Sequence, residues 1–217
     1  STTMKILTGY LAPSGGSAAL AGLDIQQDRL EASKKLGYLP ENGPLYLDMT
    51  PMELLKFFGE ARGLEGDLLE NRIDTVTRQV GLQQVLEKPT GKLSRGYRQR
   101  VGLAQALMHD PDVLIMDEPT AGLDPNQIRD FRDHIRALGK SKTILISTHI
   151  LQEVDAVANR VLFVLDGKLR FDGSPEELKE GGSLEEPFSQ MTNSGRPLAS
   201  PASPATGAAP PVSVDKA

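Results

Sequence analysis

The sequence predicts an α/β fold built on a parallel sheet, and three observations predict it. The apolar run Val113 to Met116 is followed by a helix from Asp124-Pro125 to about Leu138, closed by Gly139, and then by a second apolar run, Thr143 to Ser147. Strand, helix and strand in that order form a βαβ unit, which requires parallel strands. A further short strand, Leu36 to Leu39, ends at Pro40. Between these runs lie several segments with helical start signals and apolar residues at helical spacing.

Taken in order, Thr2 to Tyr10 reads as a helix, which a strand and loop are expected to precede, and Pro13-Ser14-Gly15-Gly16 reads as a turn into a short strand around Ala18 to Leu20. Thr50-Pro51-Met52-Glu53 supplies an N-cap, a proline at the first helical position and a capping-box Glu, opening a helix to about Arg62. Leu68 to Val80 continues a helical region. Ser94 caps the next helix, which carries Val101, Leu103, Ala104 and Leu107 and ends at Asp110-Pro111. Beyond the βαβ unit, Leu151 to Ala158 is helical, and Arg160 to Asp166 with Lys168 to Phe171 forms a hairpin around Asp166-Gly167. Ser174-Pro175-Glu176-Glu177 caps a last short helix with the chemistry seen at Thr50. From about Gly195 the chain is Pro, Ala, Ser and Gly, a composition that does not offset its ordering entropy, so 195–217 is expected to be a disordered tail.

Composition limits what the chain does. Its 217 residues with 39% hydrophobic content suffice for one substantial core. The longest apolar runs are strand-sized, well short of the roughly 18 residues that cross a bilayer, so contact with a membrane is expected through a partner. There is no cysteine, which excludes disulfides and thiolate metal sites and fits a reducing setting, and the three histidines are scattered. A net charge of −5 gives no general attraction to nucleic acid. The local cluster Arg95, Arg98 and Arg100 reads as helix surface. No secretory signal is visible in the sequence, whose first residue is Ser.

Val113 to Asp124 carries the most chemistry. An apolar strand delivers Asp117 and Glu118 to the carboxyl edge of a sheet, where ligands collect in open α/β folds, and Pro119 stops the strand. This is the layout of a nucleotide hydrolysis site, with Asp117 able to hold Mg²⁺ and Glu118 able to polarise a water. Leu93-Ser94-Arg95-Gly96-Tyr97-Arg98-Gln99-Arg100 lies upstream and His149 downstream, just after the strand Thr143 to Ser147.

These clusters, in this order over residues 1 to 180, resemble the ATP-binding cassette (ABC) ATPases. The resemblance implies a P-loop NTPase fold, an ABC-type nucleotide-binding domain with a helical subdomain over about 42–92 and a short C-terminal element over 181–194. It implies ATP and Mg²⁺ as ligands, Glu118 as general base, His149 as the switch His and Asp117 on the metal. Ser94 and Gly96 would stand in the signature motif that reaches a partner's ATP; a helix N-terminus favours such an anion. The usual Leu-Ser-Gly-Gly-Gln is altered, with Arg95 at its first Gly and Tyr97 at its Gln. Asp124 would be the D-loop residue and also the N-cap of the following helix. Ser1-Thr2-Thr3 looks like the end of the phosphate-binding loop, with Ser1 on Mg²⁺ and Thr2 near a phosphate. The chain is then expected to begin within that loop, without its Lys. Glu41 stands where the family usually has Gln, as in some exporter-type members. His109 and His134 are expected at the surface.

The closest resemblance is to ATPase subunits of ABC-2 exporters, including the gliding-motility type, carried by Tyr38-Leu39-Pro40-Glu41-Asn42 and the Leu93 to Arg100 segment. Ser183 to Phe188 looks like a C-terminal element of these exporters, although Pro187 is expected to disturb its helix. The implied partners are a transmembrane permease and a second ATPase domain in a homodimer, at the cytoplasmic face of the membrane, with no nucleic acid. Two alternatives stay open: an ABC ATPase acting on ribosomes or DNA, and a catalytically incompetent interaction module. Without the strand expected before residue 1, a sheet edge at the middle of the core is expected to be exposed and the chain to be unstable or to aggregate.

Overall fold

The computed structural model describes residues 2–43, 45–179 and 184–194. Ser1 and the expected tail 195–217 lie outside the described residues. The described chain falls into two compact units, one running through Ser147 and one starting at Thr148.

The first unit is organised by a parallel sheet in the order β3 (Leu36–Leu39), β4 (Val113–Asp117), β5 (Thr143–Ser147). Its two faces follow from the period of two along a strand. Leu36 and Ile115 point to one side and cluster with Met4, Leu20 and Ile25. Met4 belongs to α1 (Thr2–Leu7), and Leu20 to β1 (Ala19–Leu20), which pairs antiparallel with β2 (Leu23–Asp24). On the other side Gly37 lies under α5 (Arg95–Leu107), so close that a Cβ there would sit 2.4 Å from the carbonyl oxygen of Ala106. Leu114 and Met116 of the central strand are fully buried.

α5 is also the floor of a helical layer. α3 (Pro51–Ala61) and α4 (Gly66–Gln79) pack on each other and on α5, burying Leu54, Leu55, Ile73, Val76, Val101 and Leu103. The expected capping box opens α3, with the Thr50 hydroxyl accepting from the Glu53 amide at 3.2 Å and the Glu53 carboxylate accepting from the Thr50 amide at 2.8 Å. At the far end of α5, Arg72 donates to the carbonyls of Leu107 (2.6 Å) and Met108 (3.0 Å) and pairs with Asp110. Lys142, just before β5, pairs with the same carboxylate at 2.8 Å. Cations placed on orphan carbonyls at a helix C-terminus are favourable. α6 (Pro125–Leu138) then links β4 to β5 and buries Phe131, Ile135 and Leu138.

In the second unit α7 (Leu151–Val157) precedes an antiparallel hairpin of β6 (Val161–Leu165) and β7 (Lys168–Gly173), turning at Asp166-Gly167 as expected. Phe171 clusters with Leu178 and Leu184, from α8 (Pro175–Leu178) and the residue preceding α9 (Glu185–Ser194), together with Leu151, Val154, Val161 and Phe163.

Four expectations need correction. The first helix stops at Leu7 rather than Tyr10, because Gly9 takes a left-handed φ of 74°; the amides of Gly9 and Tyr10 donate back to the carbonyls of Ile6 (3.0 Å) and Lys5 (2.8 Å), a Schellman cap. α2 (Arg29–Lys34) and β2 were not anticipated, since each is short and lacks a strong periodic signal. Pro187 does not break its helix: it sits in the first turn of α9, where an amide has no intrahelical partner to lose. His109 is half-buried, not at the surface, with Nε2 2.9 Å from the carbonyl oxygen of Leu36, and His134 is half-buried too. Burial, and secondarily the charge of Arg62, holds the His109 pKa below its ordinary value.

The Gly37 contact predicts that Gly37→Ala costs about 2 kcal/mol, lowering Tm by roughly 5 °C. Gly15→Ala, where a Cβ would meet nothing within 4 Å, should stay near the parent. Equal Tm values for the two variants would remove the close approach as a constraint. A histidine whose folded pKa is depressed binds fewer protons in the native state than in the unfolded one, so its contribution is present above about pH 6.5 and is lost as pH falls below it. Urea unfolding at pH 7.5 and 5.5 should therefore show a smaller loss of stability in His109→Gln than in the parent.

Candidate functional site

The parallel register brings the ends of the strands to one edge. Leu39 of β3 lies beside Met116, and Asp117 lies opposite Ser147. Asp117 is buried, and a buried carboxylate is costly unless hydrogen-bonded. The Ser147 hydroxyl supplies that bond by donating to Asp117 Oδ1. The next amide, that of Glu118, donates to the Ser147 carbonyl at 3.1 Å and lies 3.2 Å from the hydroxyl oxygen. Clamped this way, Glu118 takes φ = 46°, a left-handed conformation that costs an ordinary residue about 1 to 2 kcal/mol. The chain leaves the sheet abruptly there.

A tight turn follows. The Ala121 amide donates to the Glu118 carbonyl and the Leu123 amide to the Thr120 carbonyl, both at 3.1 Å, and Gly122 adopts φ = 71°. Asp124 then caps α6, its Oδ1 accepting from the amides of Asn126 and Gln127 at 3.0 Å. Thus the cap expected at Asp124 is formed.

The N-terminus of α5 stands beside this turn. Ser94 caps it, accepting from the Tyr97 amide at 3.3 Å. Gly96 is buried against the first turn of α6: a Cβ on it would lie 2.7 Å from the Gln127 amide carbon. Ser94, Gly96 and Asp124 are therefore brought together as two adjoining helix N-termini. Glu41 is exposed in the turn after β3, at the same sheet edge as Asp117, and Thr2 is exposed at the start of α1. Burial, followed by the charge of Asp117, raises the pKa of Tyr38 on β3. Ser1 lies outside the described residues.

His149 belongs to the second unit and is exposed there, two residues beyond the end of β5 in sequence. The segment around it is braced by Thr148, whose hydroxyl donates to Glu153 Oε2 at 2.8 Å and accepts from the Ile150 amide at 3.1 Å. Glu153 is only 4% exposed. Ser147, Thr148 and Glu153 escaped the sequence reading. Ser147 gave no local signal, because its bond to Asp117 spans 30 residues; a polar Thr148 set five residues before a helical Glu was the trace available for the other two.

Chemically, the edge offers a buried carboxylate held by Ser147, a second carboxylate displaced from it by a sharp turn, and two helix N-termini capped by an exposed hydroxyl and an exposed carboxylate. Among the described residues no group of three or more His, Cys, Asp or Glu forms a metal cage.

Comparison with known proteins decides the family. The sequence model described as ABC transporter matches residues 1–121. The chain belongs to the ABC transporter family. It is 35% identical over 187 residues to the probable multidrug ABC transporter ATP-binding protein YbhF of Escherichia coli, covering 86% of this chain and 32% of YbhF, so it spans about a third of that relative. To the ABC transporter ATP-binding protein NatA of Bacillus subtilis it is 35% identical over 188 residues, covering 85% of this chain and 76% of NatA. Among solved structures, cbiO1 of Clostridium perfringens, part of the ABC transporter complex cbiONQ, superposes with a TM-score of 0.75 at 26% identity, covering 88% of this chain and 78% of that one. The α/β class with a parallel sheet, expected from sequence, is thus that of the ABC ATP-binding subunits.

For this ABC chain the Ser147 bond predicts that Ser147→Ala costs about 1 to 3 kcal/mol, because the buried carboxylate of Asp117 loses a donor. Urea unfolding of Ser147→Ala, Asp117→Asn and the double variant checks this. Additive losses in the double variant would dismiss the coupling.

Proposed function

We propose that the chain is the ATP-hydrolysing part of an ABC exporter, closing on ATP against a second ATPase domain and driving a transmembrane permease from the cytoplasmic face of the membrane. The observation that carries this reading is the Asp117-Glu118 pair at the carboxyl edge of the sheet, one carboxylate locked by Ser147 and the other set apart by a left-handed turn. Relatives named as multidrug and ATP-binding transport proteins support it. No described helix is long and apolar enough to cross a membrane, so the pore belongs to the permease in this reading.

In it, Glu118 accepts a proton from the water that attacks the γ-phosphate, Glu41 reaches that water or the cation, and His149 keeps the role of switch His that the family resemblance implies. Ser94 and Gly96 present the N-terminus of α5 to the ATP of the second domain, where amides and dipole favour a phosphate. Asp124 shapes the face between the two domains, and Thr2 lies near a phosphate. The donor chemistry fits Mg²⁺: the Asp117 carboxylate and hydroxyls such as that of Ser1 are hard oxygen ligands. Asp117 and Ser1 would hold it, and when bound it neutralises phosphate charge. The α3–α4 layer is the helical subdomain of about 42–92. Its exposed aromatic surface, with Tyr46 and Phe57 at 6.1 Å edge to face and Leu47 beside them, suits docking of a permease segment.

The test is ATP turnover by the full-length protein and by Glu118→Gln. The variant should lose about 10²- to 10³-fold in kcat while still dimerising when ATP is added. Turnover that persists in Glu118→Gln would sink the assignment of Glu118, and a parent that never turns over, even with a permease present, would favour a docking module.

A further inference from the structure

Arg95 replaces the first glycine of the usual signature sequence and contributes nothing to the capping of α5, which Ser94 performs. Its side chain runs instead to the turn after β4. A Cβ built on Gly122 would lie 2.7 Å from both Cζ and Nη1 of Arg95 and 3.0 Å from Nε. Near-equal distances to the central carbon and two nitrogens mean that the guanidinium presents its flat face, not its hydrogen-bonding rim, to Gly122. The left-handed φ of 71° at Gly122 excludes other residues easily there, and the missing side chain makes room for the guanidinium.

α5 makes a second contact close by, with α6, where buried Gly96 admits the Gln127 side chain. The two contacts lie at and just beyond the end of the turn: Gly122 sits within the Leu123-to-Thr120 backbone bond, and Gln127 sits in the first turn of α6.

We infer that Arg95 is a positioning residue: its guanidinium straps Gly122 and thereby holds the Glu118 to Leu123 turn, and Glu118 with it, against the N-terminus of α5. The consequence for turnover rests on the ATPase reading above; the strap itself does not. A planar group is required. Lysine keeps the charge but not the plane, so the substitution separates strapping from phosphate binding.

The experiment compares the full-length protein with Arg95→Ala and Arg95→Lys by hydrogen exchange without nucleotide, ATP affinity and steady-state kinetics. Both variants should exchange the amides of Ala121 and Leu123 about tenfold faster. They should also lose about tenfold in kcat, with ATP affinity within about twofold of the parent. Unchanged exchange would overturn the strap. Faster exchange with unchanged kcat would overturn the positioning of Glu118. Weakened ATP binding in Arg95→Ala, restored in Arg95→Lys, would make Arg95 a phosphate ligand instead. If the parent hydrolyses no ATP, the ATPase reading fails by itself and the exchange data still decide the strap.

Discussion

The hydroxyl of Ser147 donates to Asp117 across the β4–β5 register, and the Glu118 amide returns to Ser147. The site hangs on this exchange. A carboxylate at the end of a strand whose preceding three residues are almost without solvent has to be satisfied from within the protein. The parallel register of β4 and β5 puts the Ser147 hydroxyl opposite it. The same bonds force Glu118 out of strand geometry, so the step from one acid to the next is a change of direction as well as of residue.

α5 ties that edge to the helical layer. The sheet accepts it because Gly37 has no side chain, and the helices accept it through Leu54, Leu55 and Val76. At its C-terminus Asp110 serves two masters, Arg72 from α4 and Lys142 from the approach to β5. Exposed ion pairs contribute little individually. Arg72, however, also satisfies two helix-end carbonyls, which gives the junction a fixed geometry that charge alone would not.

What sequence revealed and what it concealed divide by the range of the interaction. The caps at Thr50, Ser94, Asp124 and Ser174 are each written within four residues and form as read. The strands Leu36–Leu39 and Thr143–Ser147 were equally legible from apolar runs bounded by breakers. The candidate acids were legible for the same reason, as the end of such a run. Contacts that cross the fold were not: the bond from Ser147 to Asp117, the burial of His109 under the Leu36 carbonyl, and the face of Arg95 on Gly122 join residues 27 or more apart. Local pattern carries no information on them.

The thirteen residues of α5 make a rod about 20 Å long. Gly96 and Arg95 seat one end on the turn leaving β4, and Arg72 grips the other. Contacts at both tips therefore join the helical layer to the carboxylate edge through a single element.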